Sequence, residues 1–193
     1  IEFWSYLNSS HCTDESIIGT EYFGSGWHFY PGMWAWIAPI QNSNAHGSCD
    51  NILSSGNWFH IALQYDNSQD ANQWKLFING ELYEEITAEI SVIGDGGDIV
   101  INRHTWDSGQ SSRLSGMIDE VRFSDIARYS ENFTPSTVQL QNDENTLLLL
   151  NFEDSSGSQV IDSSNYQNHG NVVGQVNYQD ATFTSTSNIL WST

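Results

Sequence analysis

At 193 residues, with 38% hydrophobic and 13% aromatic side chains, the chain has the length of one domain and enough apolar material for a sizeable core. Five Lys and Arg against 24 Asp and Glu leave a formal charge of −19, which repels a phosphate backbone and argues against nucleic acid as a partner. The greasiest run, Leu147 to Leu150, ends at Asn151, far short of the roughly 20 apolar residues that span a bilayer as a helix, so no membrane insertion is expected.

In chain order, short alternating runs between Gly, Asn, Asp and Ser clusters predict strands. They cover Ile1 to Leu7, Ser16 to Tyr22, Trp27 to Tyr30, Trp34 to Pro39, Trp58 to Tyr65, Trp74 to Ile78, Glu81 to Ile86, Asp98 to Asn102, Arg113 to Phe123 and Thr146 to Phe152. The chain opens on Ile1 with no Met, basic stretch or cleavage site, and reads as a mature or excised piece. Cys12 and Cys49 sit in polar loops and predict a disulfide, hence an oxidising compartment; metal binding with His11 and His46 is the rival, without the usual ligand spacing. Pro31-Gly32 predicts a tight turn that pairs the Trp27 and Trp34 strands as a hairpin.

The stretch from Trp58 to Leu82 carries the clearest pattern. Phe59, Ile61 and Leu63 alternate with His60, Ala62 and Gln64, and Trp74, Leu76 and Ile78 alternate with Lys75, Phe77 and Asn79. Asn79-Gly80 supplies the positive φ angles of a two-residue hairpin turn, so Glu81-Leu82-Tyr83 returns antiparallel. Gly94 to Asp98 is a loop that suits either a bound cation or an ordinary turn. Asp125 to Tyr129 is expected to form one helical turn, and beyond Asp154 only Val160-Ile161 and Val172-Val173 are firm apolar pairs. With almost no 3.6-residue period, the fold class is all-β, a two-sheet antiparallel sandwich.

Three groups of residues carry a resemblance. They are Ile1-Glu2-Phe3-Trp4; Trp58-Phe59-His60-Ile61-Ala62 with Leu76-Phe77-Ile78-Asn79-Gly80; and Gly116-Met117-Ile118-Asp119-Glu120-Val121-Arg122-Phe123. Together with Ala127-Arg128-Tyr129 and Asn132-Phe133-Thr134-Pro135, in this order and spacing, they resemble the laminin G-like jelly roll of the concanavalin A-like lectin/glucanase superfamily; the resemblance covers residues 1–175 and leaves 176–193 as a closing strand or linker tail. Asn145 to Glu153, Asp162-Ser163-Ser164 and Asn168-His169-Gly170 are similar to the closing segment of its bacterial members. Members usually carry one or two strands ahead of the E-F-W strand, so the resemblance implies that an N-terminal strand is missing here and that a sheet edge is open to strand addition.

The resemblance also implies a structural Ca²⁺ held by Asp119 with backbone carbonyls, Glu2 being a weak further candidate; the alternative is that Asp119 pairs with Arg122 or Arg103 and that Glu120 is merely solvated. Glycoside hydrolysis on this scaffold needs paired carboxylates from an E-x-D-x-x-E strand, and none occurs; Glu84-Glu85 are adjacent and point to opposite faces, and Glu89 stands alone. No G-x-S-x-G elbow, phosphate loop or histidine metal spacing is present, and His60 is expected to be a packed or half-exposed strand residue.

Of the Trp residues, Trp4, Trp58 and Trp74 fit core positions. Trp34, Trp36 and Trp106, with His104 and Arg103, form a candidate glycan platform in which indoles stack on a sugar's apolar face. The expected function is a non-catalytic recognition or adhesion module, extracellular or at the cell surface, that binds a glycan or a cell-surface protein. The alternatives are a subunit of an extracellular filament, self-assembled by strand exchange, and, least favoured, a glycoside hydrolase.

Overall fold

A computed structural model describes residues 1–8, 17–20, 27–30, 34–37, 53–66, 73–87, 98–102, 115–153 and 157–179. The described residues contain strands and no helix. Strands β1 (Glu2–Leu7), β2 (Ile18–Thr20), β3 (Trp27–Tyr30), β4 (Trp34–Ile37), β5 (Trp58–Asp66), β6 (Gln73–Ile78), β7 (Glu81–Thr87), β8 (Ile99–Ile101), β9 (Gly116–Ser124) and β10 (Thr146–Leu150) fall on the predicted runs, with ends shifted by a few residues. The sequence reading missed β11 (Gln159–Val160) and β12 (Gly170–Asn171), a two-residue ladder in the tail.

The strands form a six-stranded sheet ordered β10-β9-β1-β5-β6-β7 and a four-stranded sheet ordered β4-β3-β2-β8, with antiparallel pairing throughout. Alternation then sorts the side chains. Phe3, Leu7, Phe59, Ile61, Leu63, Trp74, Leu76, Ile78 and Val121 share one buried cluster with Ile18 and Phe29 of the other sheet, and the Phe3 and Phe29 rings meet edge to face at 5.7 Å. Burying each such side chain contributes about 1.5–3 kcal/mol of transfer free energy.

The Asn79-Gly80 turn forms as expected, with φ of 51° and 80°, and Asn79 and His60 exchange hydrogen bonds: the Asn79 N–H donates to the His60 carbonyl at 2.7 Å and Asn79 Oδ1 accepts from the His60 N–H at 2.9 Å. The E-F-W strand β1 lies inside the large sheet, flanked by β5 and β9. That sheet ends at β10, whose outer edge is occupied by the loop around Asp162: Asp162 Oδ1 accepts from the Leu149 N–H at 2.8 Å and the Ser163 N–H donates to the Leu149 carbonyl at 2.8 Å.

Asp162 is 2% exposed and organises the closing segment by accepting from four donors: the N–H groups of Leu149, Ser164 and Asn168, and the Ser164 hydroxyl, all at 2.8 Å. Burial opposes its ionisation, but these donors win and hold its pKa below the ordinary value. Val160, expected only as an apolar pair with Ile161, is drawn into β11 opposite Gly170.

Candidate functional site

The outer face of the six-stranded sheet is not a free face. Trp4, His60, Ala62, Phe77, Arg122 and Leu149 lie on the side away from the inter-sheet core, yet each is under 9% exposed. Residues 125–145 form a strap across them. The Tyr129 N–H donates to Gln64 Oε1 at 3.1 Å, Lys75 Nζ to the Ser130 carbonyl at 3.3 Å, and the Leu82 N–H to Asn132 Oδ1 at 2.9 Å. The strap then returns over the sheet: the Phe133 N–H donates to the Gly80 carbonyl at 2.9 Å, Trp4 Nε1 to the Ser136 carbonyl at 3.1 Å and the Leu140 N–H to Glu120 Oε2 at 2.7 Å. Its two ends are tied by Arg128, whose guanidinium donates to both carboxylate oxygens of Asp143 at 2.7 and 2.8 Å. The Arg128 guanidinium is the main influence holding the Asp143 carboxyl far below the usual carboxylate range.

This strap replaces the helical turn expected at Asp125 to Tyr129. The segment runs without helical hydrogen bonds because Tyr129 uses its backbone N–H on Gln64 and its ring on the sheet, stacked on Phe133 at 3.5 Å and 3°. The Phe133 ring in turn meets His60 edge-on at 5.6 Å and Phe77 at 5.6 Å.

Beneath the strap lies a buried polar cluster. Glu2, 3% exposed, accepts through Oε1 from Arg122 Nε at 2.8 Å and Nη2 at 2.5 Å, and through Oε2 from the Tyr129 hydroxyl at 2.6 Å, with His60 Nε2 at 3.2 Å. Burial raises the cost of its charge, but His60, Arg122 and Tyr129 outweigh this and lower the Glu2 pKa to about 2. Burial and the Glu2 charge push the Tyr129 phenol well above its usual value. This corrects two expectations. Glu2 is no metal ligand, because its carboxylate is taken up by Arg122, Tyr129 and His60, and Arg122 pairs with Glu2 and not with Asp119. His60 is wholly packed at 1% exposure, its Nδ1 without a hydrogen-bond partner.

Asp119 sits where β9 bulges against β1: Glu2 pairs with Arg122 and Trp4 with Asp119, so β9 carries one extra residue there and Glu120 takes a φ of 51°. Asp119 is half-buried, and its Oδ1 accepts from the Glu120 N–H at 2.8 Å. Burial pushes its pKa up to about 6; the Glu120 N–H opposes this and the Glu153 charge adds to it. Glu120 is buried, not solvated as the alternative reading had it. Its Oε2 accepts from the Leu140 N–H and from Asn151 Nδ2 at 2.8 Å, and burial pushes its pKa up to about 7 against these two bonds.

A Ca²⁺ ion takes six to eight oxygens. Among the described residues no group of three or more His, Cys, Asp or Glu side chains is placed to hold a metal, so Asp119 offers a carboxylate without an assembled side-chain set.

In the four-stranded sheet, β3 and β4 carry Trp27, Phe29, Tyr30, Trp34 and Trp36. Register sets Tyr30 opposite Trp34 and places Gly19, His28 and Trp36 in one row, in positions that alternate with the core residues Ile18 and Phe29. Trp34 and Trp36 therefore hold register positions out of phase with Ile18 and Phe29. Trp106, His104, Arg103, Cys12 and Cys49 lie outside the described residues, as do Gly94, His11, His46 and Glu89.

Two stacked antiparallel sheets with this strap and closing loop define a jelly-roll sandwich. The family model described as "Concanavalin A-like lectin/glucanases superfamily", of laminin G type, matches residues 1–132, and the chain belongs to that family. No curated protein matches the sequence. A solved structure from Bacteroides ovatus, described as a "putative carbohydrate binding protein", superposes with a TM-score of 0.63 at 16% identity, over 96% of this chain and 55% of its own length. At that identity the likeness is one of fold, and this chain spans about half of that protein.

Proposed function

We propose that the chain is a non-catalytic carbohydrate-binding module that works outside the cell, its ligand meeting the four-stranded sheet and not the large one. The observation that carries this reading is the asymmetry of the two outer faces. The strap buries one, while His28, Tyr30, Trp34 and Trp36 fall in one register set of the other. Aromatic rings present flat apolar area to the C–H face of a sugar, and Trp106, His104 and Arg103 are proposed to complete the platform from the following loop. The superfamily holds lectins and glucanases alike, and among the described residues two buried carboxyl groups favour the former reading: Glu2 is paired with Arg122 and Glu120 is held by structural donors. The Bacteroides ovatus protein supports the choice of ligand class through its described role. A Ca²⁺ at Asp119 is part of the proposal, supported by a half-buried carboxyl that Glu153 repels and that a cation would relieve.

A glycan array, run with and without chelator on the wild type and on Trp36→Ala, Trp106→Ala and Asp119→Asn, tests it. Binding should fall about tenfold or more in either Trp variant, in line with the loss of one stacked ring and its contacts. Loss of calcium dependence in Asp119→Asn is expected as well. A wild type that binds no glycan in any condition refutes the reading.

A further inference from the structure

The four-stranded sheet is built from strands without formal charge. None of β2, β3, β4 and β8 contains an Asp, Glu, Lys or Arg, and their ionisable side chains are His28 and the Tyr30 phenol. In the six-stranded sheet, by contrast, β7 holds Glu81, Glu84 and Glu85, and β9 holds Asp119, Glu120 and Arg122.

The chain places its few described cations elsewhere. Of the five Lys and Arg, Arg122 is 8% exposed and donates through Nε and Nη2 to Glu2. Arg128 donates to both carboxylate oxygens of Asp143 and to the Ser124 and Thr146 hydroxyls. Lys75, on β6, donates through Nζ to the Ser130 carbonyl of the strap. Arg103 and Arg113 lie outside the described residues, and Arg103 is the cation of the proposed platform. In the sequence, exposed Asp98 precedes β8 and Arg103 follows it, so the charges flanking this strand cancel.

We propose that the ligand is a neutral polysaccharide, whose rings carry free hydroxyls and neither sulfate nor uronate carboxylate. The inference rests on the carbohydrate-binding reading and narrows its substrate class. Proteins that hold a polyanion do so with several Lys and Arg acting together, and gain from the counterions these release. Here a polyanion on the platform meets Arg103 in a chain of net charge −19, with Arg122 and Arg128 already committed to Glu2 and Asp143. A neutral glycan needs no such cluster. Its C–H faces stack on aromatic rings, its hydroxyls use uncharged donors and acceptors, and a guanidinium donates to hydroxyl oxygens as well as to anions. Neutral binding is then nearly indifferent to salt, whereas anionic groups placed on the same backbone weaken it, most of all at low ionic strength.

The test is affinity electrophoresis and titration calorimetry of the whole chain against a β-glucan, a xylan and a galactomannan. Each is paired with its sulfated and carboxymethylated derivative, and the series runs from about 50 to about 500 mM NaCl, with calcium and with chelator. At least one neutral parent should bind, with an affinity that changes less than about twofold across the salt range. Its derivatives should bind at least about tenfold more weakly at low salt, the gap narrowing as salt rises.

A chain that prefers the anionic derivatives and releases them with rising salt or on removal of calcium overturns the neutral class and leaves the carbohydrate-binding reading standing. Equal binding of parent and derivative does the same, as does a gap that salt leaves unchanged, which marks a steric block and not charge. A chain that binds no polysaccharide of any charge overturns the inference together with the reading beneath it.

Discussion

Glu2→Gln is the sharpest probe of how the strap is anchored. The substitution keeps the side chain's shape but removes the charge that Arg122, His60 and Tyr129 converge on, and leaves the Arg122 guanidinium, itself 8% exposed, without a counter-ion. The drop from the ordinary 4.5 to about 2 corresponds to about 3 kcal/mol of stability. Breaking a buried ion pair costs about 3–5 kcal/mol in general, so the two routes agree. For a chain of this length that lowers Tm by roughly 6–12 °C.

The pH dependence has a definite sign. A carboxyl whose folded pKa is depressed contributes its stability fully above the unfolded value near 4.5, and loses it as pH falls through about 2. Urea unfolding of both proteins should therefore give a constant difference from pH 8 to about 5 that shrinks toward pH 2. Adding Arg122→Met to Glu2→Gln should cost less than the sum of the single changes, because the stranded guanidinium goes with its partner. A cost under about 1 kcal/mol at pH 7, or one that does not change down to pH 2, refutes the account of the cluster.

Gly80→Ala should destabilise by about 2–4 kcal/mol, since a Cβ there would lie 1.9 Å from the Phe133 carbonyl oxygen at a φ of +80; hydrogen exchange should speed up over residues 129–136 if the strap lifts to make room. Asp162→Ala should cost about 2–4 kcal/mol by orphaning the N–H groups of Leu149, Ser164 and Asn168, whereas Asp162→Asn, which keeps one accepting oxygen, should cost less; thermal melts rank the pair.

Strands were legible because period 2 needs only neighbouring letters. His60, Ala62 and Phe77 were put on the face opposite Phe59, Ile61 and Leu76, and that is where they lie. What covers that face was not legible. The strap has no period, and its hold depends on single backbone groups meeting Gln64, Gly80, Trp4 and Glu120, pairings separated by tens of residues. For the same reason Glu2 could stand as a weak further candidate ligand: its partner Arg122 is 120 positions away and meets it only through the β1–β9 register. The bulge that turns Glu120 inward left no mark in Ile118-Asp119-Glu120-Val121, since any residue can be the extra one. Of the platform, the Trp27 and Trp34 hairpin was legible from Pro31-Gly32, and register then set Trp36 beside His28.

The central claim is recognition of carbohydrate without its hydrolysis. The most direct measurement passes the chain over immobilised polysaccharides, follows hydrogen exchange of the retained protein and assays the matrix for new reducing ends. Retention, slowed exchange in residues 18–37, no change across 125–140 and no new reducing ends are predicted. Passage through every matrix, protection centred on the strap, or released sugar would contradict it.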